Sequence, residues 1–235
     1  MEELCSKLNF EGFIAVEPQE KSGGIAMFWQ DAEKVTLLSF SKNHIDILIN
    51  MGDNKEWRLI GIYGEPSRTQ RFKTWELLRN LSRDANLPWC LIGDFNNVTS
   101  QDDKRGAAYP NNLIEGFNEC LLDVELHDLD IIGHQYTWER GKSTENWIEI
   151  QLDRVFVNMQ WSMLYQMAKV YNLEGSLLGT KHIIKDQWEE DIHYSVSQKV
   201  KKCADSLDIW GREITSCFGK RIKECKIKLN ALRQK

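Results

Sequence analysis

The chain has 235 residues, a formal net charge of −5 at pH 7, 42% hydrophobic residues and 28% charged residues. This balance excludes an intrinsically disordered protein and fits one large domain, or one domain with an appendage. No apolar run approaches the roughly 18 residues that a membrane-spanning helix needs, and the acidic start gives no sign of a secretory signal. The six cysteines include no Cys-x-x-Cys pair, so we expect reduced thiols in an intracellular protein, in the nucleus or the cytoplasm.

The charge is unevenly distributed along the chain. Residues 1–180 hold 17 Lys and Arg against 27 Asp and Glu, a net charge of −10, whereas residues 181–235 carry +5. An acidic body does not bind nucleic acid through its overall charge, because phosphate binding needs clustered cations. A local basic patch or a bound divalent ion would be needed for such a partner.

The first 172 residues alternate between strand-like and helix-like segments. Short runs rich in β-branched and aromatic residues, separated by turn residues, predict strands at Gly23–Trp29, Lys34–Phe40, His44–Ile49, Trp57–Tyr63, Trp89–Ile92, Tyr136–Trp138 and Trp147–Leu152. Apolar residues at three- and four-residue spacing predict helices at Arg68–Ala85 and Asn111–Leu122. This mixture predicts an α/β or α+β domain built from packed layers.

The pattern changes towards the C-terminus, where apolar residues recur at steps of three or four from Ile192 to Leu232. This stripe predicts one long helix over 190–235, or two helices if Gly211 and Gly219 interrupt it. The simplest interpretation is a tail that docks or forms a coiled coil and has no chemistry of its own. A helical partner is therefore expected for this segment.

The segment with most chemical information runs from Leu91 to Asn96, where a buried strand leads into Asp94 and, two residues later, Asn96. Strand ends that carry polar groups are where α/β layers commonly form sites. A carboxylate there can activate water, and a carboxamide can donate to a developing oxyanion. The same spacing also occurs in ordinary turns, so by itself it leaves both interpretations open.

Two further segments carry side chains suited to phosphate chemistry. Tyr63 ends a predicted strand and is flanked by glycines; its phenol can bind phosphate, or it can pack at the strand end with its hydroxyl in water. Asp153 and Arg154 can serve a site or form an ion pair at the junction of a strand and a helix. None of these segments decides a function alone.

Five segments occur in the order Gly23–Trp29, Gly61–Gly64, Ile92–Asn96, Tyr136–Trp138 and Leu152–Arg154. Their order and residues resemble the endonuclease/exonuclease/phosphatase family, and within it the endonuclease domain of plant non-LTR (LINE-type) retrotransposons. The segments Asp102–Gly106 and Arg140–Lys142 resemble the same lineage. The likeness covers roughly residues 1–172, and the helical tail resembles the segment that leads towards a reverse transcriptase.

The resemblance implies a two-sheet α/β (α+β) sandwich with outer helices, and metal-dependent hydrolysis of DNA phosphodiesters. By that likeness Asp94 activates or orients the attacking water, Asn96 steadies the transition state and Tyr63 contacts the phosphate. Asp153 would orient a histidine. Mg²⁺, or alternatively Mn²⁺, would be held by Asp94 and Asn96, and DNA would be the substrate.

The resemblance also implies differences from the family. Trp138 and Arg154 are weaker candidates for contacts with the substrate. The chain would be truncated at both ends, because the metal-binding Glu of the family would lie upstream of it. The closing Ser-Asp-His of the family is missing, and His182 is a poor substitute. Asp102 and Asp103, candidate replacement ligands, are expected to form a solvated loop pair.

Three interpretations of function remain open at this stage. The first is a retrotransposon-derived endonuclease-like domain, impaired or inactive, with a partial body at 1–172, a connector at 173–189 and a helical tail at 190–235. The second is an active Mg²⁺-dependent endonuclease or phosphodiesterase with a rearranged site. The third is a non-catalytic scaffold that interacts through its helical tail.

Overall fold

The computed structural model describes residues 5, 10–17, 24–52, 55–83, 86–142 and 144–172. Gly23, the predicted connector at 173–189 with His182, and the predicted tail at 190–235 lie outside the described residues. All described residues fall within the unit Met1–Asn172. No helix in this part of the chain is long and apolar enough to cross a membrane.

The described residues form strands and helices that alternate along the chain. The strands are β1 (Gly12–Val16), β2 (Ile25–Trp29), β3 (Val35–Ser41), β4 (His44–Asn50), β5 (Glu56–Tyr63), β6 (Trp89–Asp94), β7 (Lys104–Arg105), β8 (His127–Asp128), β9 (Ile131–Gly133), β10 (Trp138–Arg140), β11 (Ile148–Ile150), β12 (Asp153–Val157) and β13 (Val170–Asn172). The helices are α1 (Phe72–Ser82), α2 (Asn111–Asp123) and α3 (Met159–Leu164), with 3₁₀ turns at Ala32–Lys34, Arg68–Gln70 and Gln101–Asp103.

A six-stranded mixed sheet in the order β3-β4-β5-β6-β12-β8 forms the centre of the body. In this sheet β5 and β6 are parallel, and the other neighbouring pairs are antiparallel. A parallel pair needs a crossover connection, and α1 supplies it between β5 and β6. Strand β12 follows much later in the chain and pairs with the free side of β6, so that β6 has a neighbour on both sides.

Helices α1 and α2 cover one face of the central sheet. Leu78 of α1 and Phe117 of α2 are fully buried, as the helical periodicity predicts, and they share one core with Ile60, Leu91 and Phe156 of the sheet. Burying each such side chain contributes about 1.5–3 kcal/mol. This core therefore fixes the helices to the sheet and positions the ends of its central strands.

The hairpin of β1 and β2 packs against the opposite face of the central sheet. A Cβ on Gly61 would lie 3.1 Å from Met27 Cε and 3.2 Å from Ile25 Cδ1, so the missing side chain in β5 lets the hairpin approach. Cys90, on the same face, packs with Trp161 of α3. The layers of helices, central sheet and covering strands confirm the predicted fold class, an α+β sandwich with outer helices.

Smaller sheets complete the body. Strands β10, β11 and β7 form one of them, in which β10 and β11 are antiparallel. Strands β9 and β13 form a parallel pair. The strand predicted at Tyr136–Trp138 begins only at Trp138. Just before it, the hydroxyl of Thr137 accepts hydrogen bonds from the backbone that leads into β12.

At two further places near the site, the structure differs from the elements predicted from the sequence. The helix predicted from Arg68 starts as a 3₁₀ turn and becomes α-helical at Phe72. One of the two interpretations left open for Asp153 placed it at the junction of a strand and a helix, but Asp153 is the first residue of β12. The isolated segment 153–157 is too short to show a clear period, and its pairing with β6 makes it a strand.

Candidate active site

Three predicted site residues lie in register on neighbouring strands. Tyr63, the last residue of β5, pairs with Asp94, the last residue of β6. Asp94 also pairs with Asp153, the first residue of β12. Directly opposed residues project to the same face of a sheet, with Cβ atoms about 4.5–5.5 Å apart in an antiparallel pair. Strand pairing therefore brings one phenol and two carboxylates together at one end of the central sheet.

Two glycines allow the strand ends that carry the site to approach closely. Gly93 has a φ of 145°, and a Cβ there would lie 2.0 Å from the carbonyl oxygen of Ile62. A Cβ on Gly64 would lie 2.1 Å from the carbonyl oxygen of Phe95. The N–H of Gly64 donates to the carbonyl oxygen of Asp94 over 2.6 Å. Because only glycine fits at these two positions, they fix the spacing between the ends of β5 and β6.

Asn96 is buried and forms a tight turn with Asp94. Its φ of 51° lies in the left-handed region, which Asn tolerates better than most residues. Its N–H donates to Asp94 Oδ1 over 2.8 Å, and its Nδ2 donates to the carbonyl oxygen of Gly64 over 2.9 Å. Its Oδ1 makes no hydrogen bond with any described residue. The turn thus orients the carboxylate of Asp94 and leaves Asn96 Oδ1 available for a ligand.

Burial raises the pKa of the Asp94 carboxyl from 3.8 to about 6, because the ionised form loses hydration. The N–H of Asn96 lowers this pKa, the negative charge of Asp153 raises it, and the guanidinium of Arg71 lowers it. A carboxylate with this pKa is ionised near neutral pH and is still basic enough to accept a proton from water. Asp94 therefore has the properties of a general base.

The oxygen atoms at this end of the sheet are of the kind that hard divalent ions prefer. Asp94 and Asp153 offer carboxylates, and Asn96 offers Oδ1. Mg²⁺ is commonly bound by one or two carboxylates, with water and substrate phosphate in the remaining positions. The described residues contain no group of three or more His, Cys, Asp or Glu that could hold a metal ion. Carboxylate and amide oxygens are donors of the kind that Mg²⁺ and Mn²⁺ accept, and they differ from the Cys and His donors of a structural zinc site.

Arg154 follows Asp153 on β12, so its side chain projects from the opposite face of the sheet. Its guanidinium is buried and contacts the carboxylates of both Asp103 and Asp128. These contacts hold the side chain inside the body, on the side that faces the helices. We therefore do not include Arg154 in the proposed site.

The expectation that Asp102 and Asp103 form a solvated loop pair is wrong for Asp103. Asp102 is exposed, but Asp103 is only 7% exposed, and its Oδ2 accepts hydrogen bonds from the N–H groups of Thr99 and Ser100 at 2.7 and 2.9 Å. Burial by itself would raise the pKa of Asp103, but Arg154 and the two N–H groups bring it below its ordinary value. Asp103 is thus an ionised structural group in the interior.

Thr137 and Trp138 lie where β10 approaches the start of β12. Thr137 Oγ1 accepts hydrogen bonds from the N–H groups of Leu152 and Asp153, each at 3.0 Å. Trp138 is 38% exposed and pairs with Ile150 of β11. Sequence reasoning selected Trp138 and missed Thr137. A hydroxyl residue inside the Tyr-Thr-Trp segment was the signal that could have identified it.

Arg71 is a second residue that sequence reasoning missed. It is the N-cap residue of α1 and is only 6% exposed, and its Nε and Nη1 have no hydrogen-bond partner among the described residues. The charges of Arg71 and Asp94 act on each other's pKa values, so the two side chains are close. The only signal in the sequence is a pair of arginines, Arg68 and Arg71, near the start of a predicted helix.

No family model matches the chain, and no curated protein matches it in sequence. Among solved structures, the endonuclease domain of a telomere-specific non-LTR retrotransposon is 16% identical, with 64% of this chain and 68% of that chain covered and a TM-score of 0.47. A 3′ phosphatase from Neisseria, bound to a product DNA hairpin, is 17% identical, with coverage of 67% and 70% and a TM-score of 0.44. An endonuclease/exonuclease/phosphatase family protein from Leptotrichia buccalis is 14% identical, with coverage of 63% and 60% and a TM-score of 0.42.

Proposed function

We propose that this chain is an endonuclease-like domain of retrotransposon origin that hydrolyses DNA phosphodiesters with Mg²⁺ or Mn²⁺, and that its turnover is impaired. The observation that carries the proposal is the register of Tyr63, Asp94 and Asp153 across β5, β6 and β12. This register joins a phenol and two carboxylates that the sequence separates widely. The order of the family-like segments in the sequence supports the retrotransposon origin.

Asp94 acts as the general base of the proposed reaction. Its carboxylate, with a pKa raised to about 6 by burial, accepts a proton from the water that attacks phosphorus. As the new P–O bond forms, the P–O bond to the leaving sugar oxygen breaks, and that oxygen takes a proton from solvent water. The hydroxyl of Tyr63 donates a hydrogen bond to a non-bridging phosphate oxygen. The carboxamide of Asn96, held by its bond to Gly64, steadies the charge that develops on the phosphate.

Asp94, Asp153 and Asn96 Oδ1 would hold the divalent ion. When bound, the ion would neutralise charge on the phosphate and polarise its bonds to oxygen. Asp153 is exposed at the first position of β12, where the hydroxyl of Thr137 holds its backbone N–H. This arrangement orients Asp153 towards the same face as Asp94.

The proposed impairment concerns a donor for the phosphate that the described site lacks. The described histidines are engaged elsewhere: His44 hydrogen-bonds with Ser39 and Ser41, His127 with Ser162, and His134 lies 3.8 Å from Glu149. Loss of one electrostatic donor commonly lowers the rate about 100- to 1,000-fold. We therefore expect cleavage that is slow but depends on Asp94.

Nicking of supercoiled plasmid tests the proposal. The purified chain is placed in excess over the plasmid, with Mn²⁺ and at a pH above the pKa of Asp94. Slow nicking that requires the divalent ion is expected. Asp94→Asn should abolish it, and Asp102→Asn, at an exposed position outside the proposed site, should retain it.

Three results would contradict parts of the proposal. Rapid multiple turnover with Mg²⁺ would contradict the impairment. Nicking that persists in Asp94→Asn would contradict the role of Asp94. No nicking at any enzyme concentration would contradict the phosphodiesterase activity itself.

A further inference from the structure

Two guanidinium groups lie against the ring of Tyr109 next to the candidate active site, and a third cation lies near one of them. The guanidinium carbons of Arg71 and Arg68 lie 5.3 and 5.8 Å from the centroid of this buried ring. Burial, and then the charge of Arg68, lowers the pKa of Lys104, so Lys104 is close to the same group. We call Arg68, Arg71, Lys104 and Tyr109 the Tyr109 cluster.

Within the described part of the chain, the cations of the Tyr109 cluster form no ion pair with a carboxylate. Lys104 Nζ contacts the carbonyl oxygen of Ala107 instead. Arg71 is more than nine-tenths buried, with Nε and Nη1 unpartnered. Burial, and then the charge of Arg68, lowers the pKa of Arg71 to about 10. The charge of Asp94 acts on Arg71, but the two side chains form no ion pair. A buried cation that is only partly compensated in this way is unfavourable, which indicates that a further anion completes its counter-charge.

The Tyr109 cluster adjoins the residues proposed for catalysis. The hydroxyl of Tyr109 donates to the carbonyl oxygen of Asn96 over 3.5 Å. Arg71 also forms the N-cap of α1, where no side chain caps the helix. The dipole of α1 therefore adds to the positive potential at this point. The cluster is thus a local concentration of positive charge in a chain whose net charge is −5.

We propose that the Tyr109 cluster is a subsite for a backbone phosphate of DNA, next to the phosphodiester that is cut at Asp94. This inference rests on the proposed function for the identity of the polyanion. Arg68 is exposed and Lys104 is half-buried, so these two side chains contact the phosphate oxygens. Arg71 is buried behind these two side chains. Its positive charge still attracts the phosphate, because water screens a buried charge weakly. Such contacts position the strand without reading its sequence.

DNA binding in the absence of cleavage tests the subsite. Fluorescence anisotropy with a labelled short duplex, in EDTA and over a range of salt concentrations, measures the dissociation constant and its salt dependence. Arg68→Gln and Lys104→Gln are each expected to weaken binding about three- to tenfold and to reduce the salt slope by about one. Arg79→Gln is the matched control, because Arg79 lies on α1 and pairs with Asp123 at the surface.

The remaining variants separate the subsite from catalysis and from folding. Arg71→Gln should also weaken DNA binding, and thermal unfolding shows whether this variant is folded. If it is not folded, Arg68→Gln and Lys104→Gln alone decide whether the subsite exists. Asp94→Asn should lose nicking and keep DNA affinity, so a failure of the catalytic proposal would leave the binding result intact. The subsite is wrong if Arg68→Gln and Lys104→Gln bind DNA as Arg79→Gln does, or if the unmodified chain binds no DNA at low salt.

Discussion

Asp94 and Asp153 face each other across β6 and β12, so the sheet places two carboxylates side by side at its end. This arrangement opposes folding, because burial of Asp94 and the charge of Asp153 both raise the pKa of Asp94. A carboxyl group whose pKa is higher in the folded than in the unfolded state lowers stability when it ionises. The candidate site therefore destabilises the fold that carries it.

Replacing Asp94 by Asn is expected to stabilise the protein by about 1–3 kcal/mol at a pH above about 7. The carboxyl has a pKa of 3.8 in the unfolded chain and about 6 in the folded protein, so the destabilisation develops between these two values as the pH rises. At a pH below about 3 both states bind the proton, and the variant should unfold like the parent. Urea unfolding at the two pH values measures the difference.

The exposed Asp102 provides the control for this experiment. Asp102→Asn should change the free energy of unfolding by less than about 0.5 kcal/mol at either pH. Equal stability of Asp94→Asn and the parent protein at high pH would show that Asp94 is not buried as an ionised group.

Gly64→Ala is expected to destabilise the protein by more than about 3 kcal/mol. The added Cβ would lie 2.1 Å from the backbone oxygen of Phe95, and neither backbone segment can move without separating β5 from β6. Gly52→Ala is the control: its φ of 79° strains a side chain, but nothing lies within 4 Å of the added Cβ. That strain should cost about 1–2 kcal/mol. Urea unfolding measures both, and equal losses would contradict the close approach of the two strand ends.

Asp103→Asn is expected to lower the free energy of unfolding by about 2–4 kcal/mol, because it leaves the buried Arg154 with one carboxylate fewer. The pKa of Asp103 is lowered in the folded protein, so its stabilisation is present above the ordinary value of 3.8 and is lost as the pH falls below it. Thermal unfolding across this range measures the loss. Asp102→Asn, at the adjacent exposed position, should behave like the parent; a similar loss in both variants would contradict the buried ion pair.

Thr137→Val is expected to loosen the start of β12, because it removes the oxygen that accepts from the N–H groups of Leu152 and Asp153. Leaving these donors unpaired costs about 1–3 kcal/mol. Amide hydrogen exchange at the two positions should become faster, and any nicking activity should fall. Thr137→Ser keeps the hydroxyl and should keep slow exchange. Unchanged exchange in the valine variant would show that Thr137 does not hold this segment.

The local sequence pattern predicts those helices and strands whose own residues show a clear apolar run or period. The apolar run from Trp89 and the polar residues after it identify β6 and its end, and helical spacing places Leu78 and Phe117 in the core. Strand β12 could not be predicted in the same way, because its five residues become a strand through pairing with β6. Long-range pairing, which no local window contains, decides such elements.

The residues of the candidate site could likewise be predicted only where a local sequence pattern marks them. Family-like segments indicate Tyr63 and Asp94, since Tyr63 ends a predicted strand and Asp94 closely follows another. The role of Asp103 was misjudged, because its partner Arg154 lies far along the chain and only the fold brings the two together. The Tyr109 cluster was missed for the same reason: its side chains come from the turn before α1, from β7 and from the loop that precedes α2.

The late position of β12 in the chain has a consequence for protein synthesis. Until residues 153–157 have left the ribosome, β6 ends the growing sheet with a row of unpaired N–H and C=O groups along an apolar strand. Open edges of this kind recruit other chains, and long-range pairing forms more slowly than local helices. We therefore expect a fragment that ends between β6 and β12 to aggregate and to lack the assembled site. The arrival of Asp153 closes the edge and completes the pair with Asp94 in the same step.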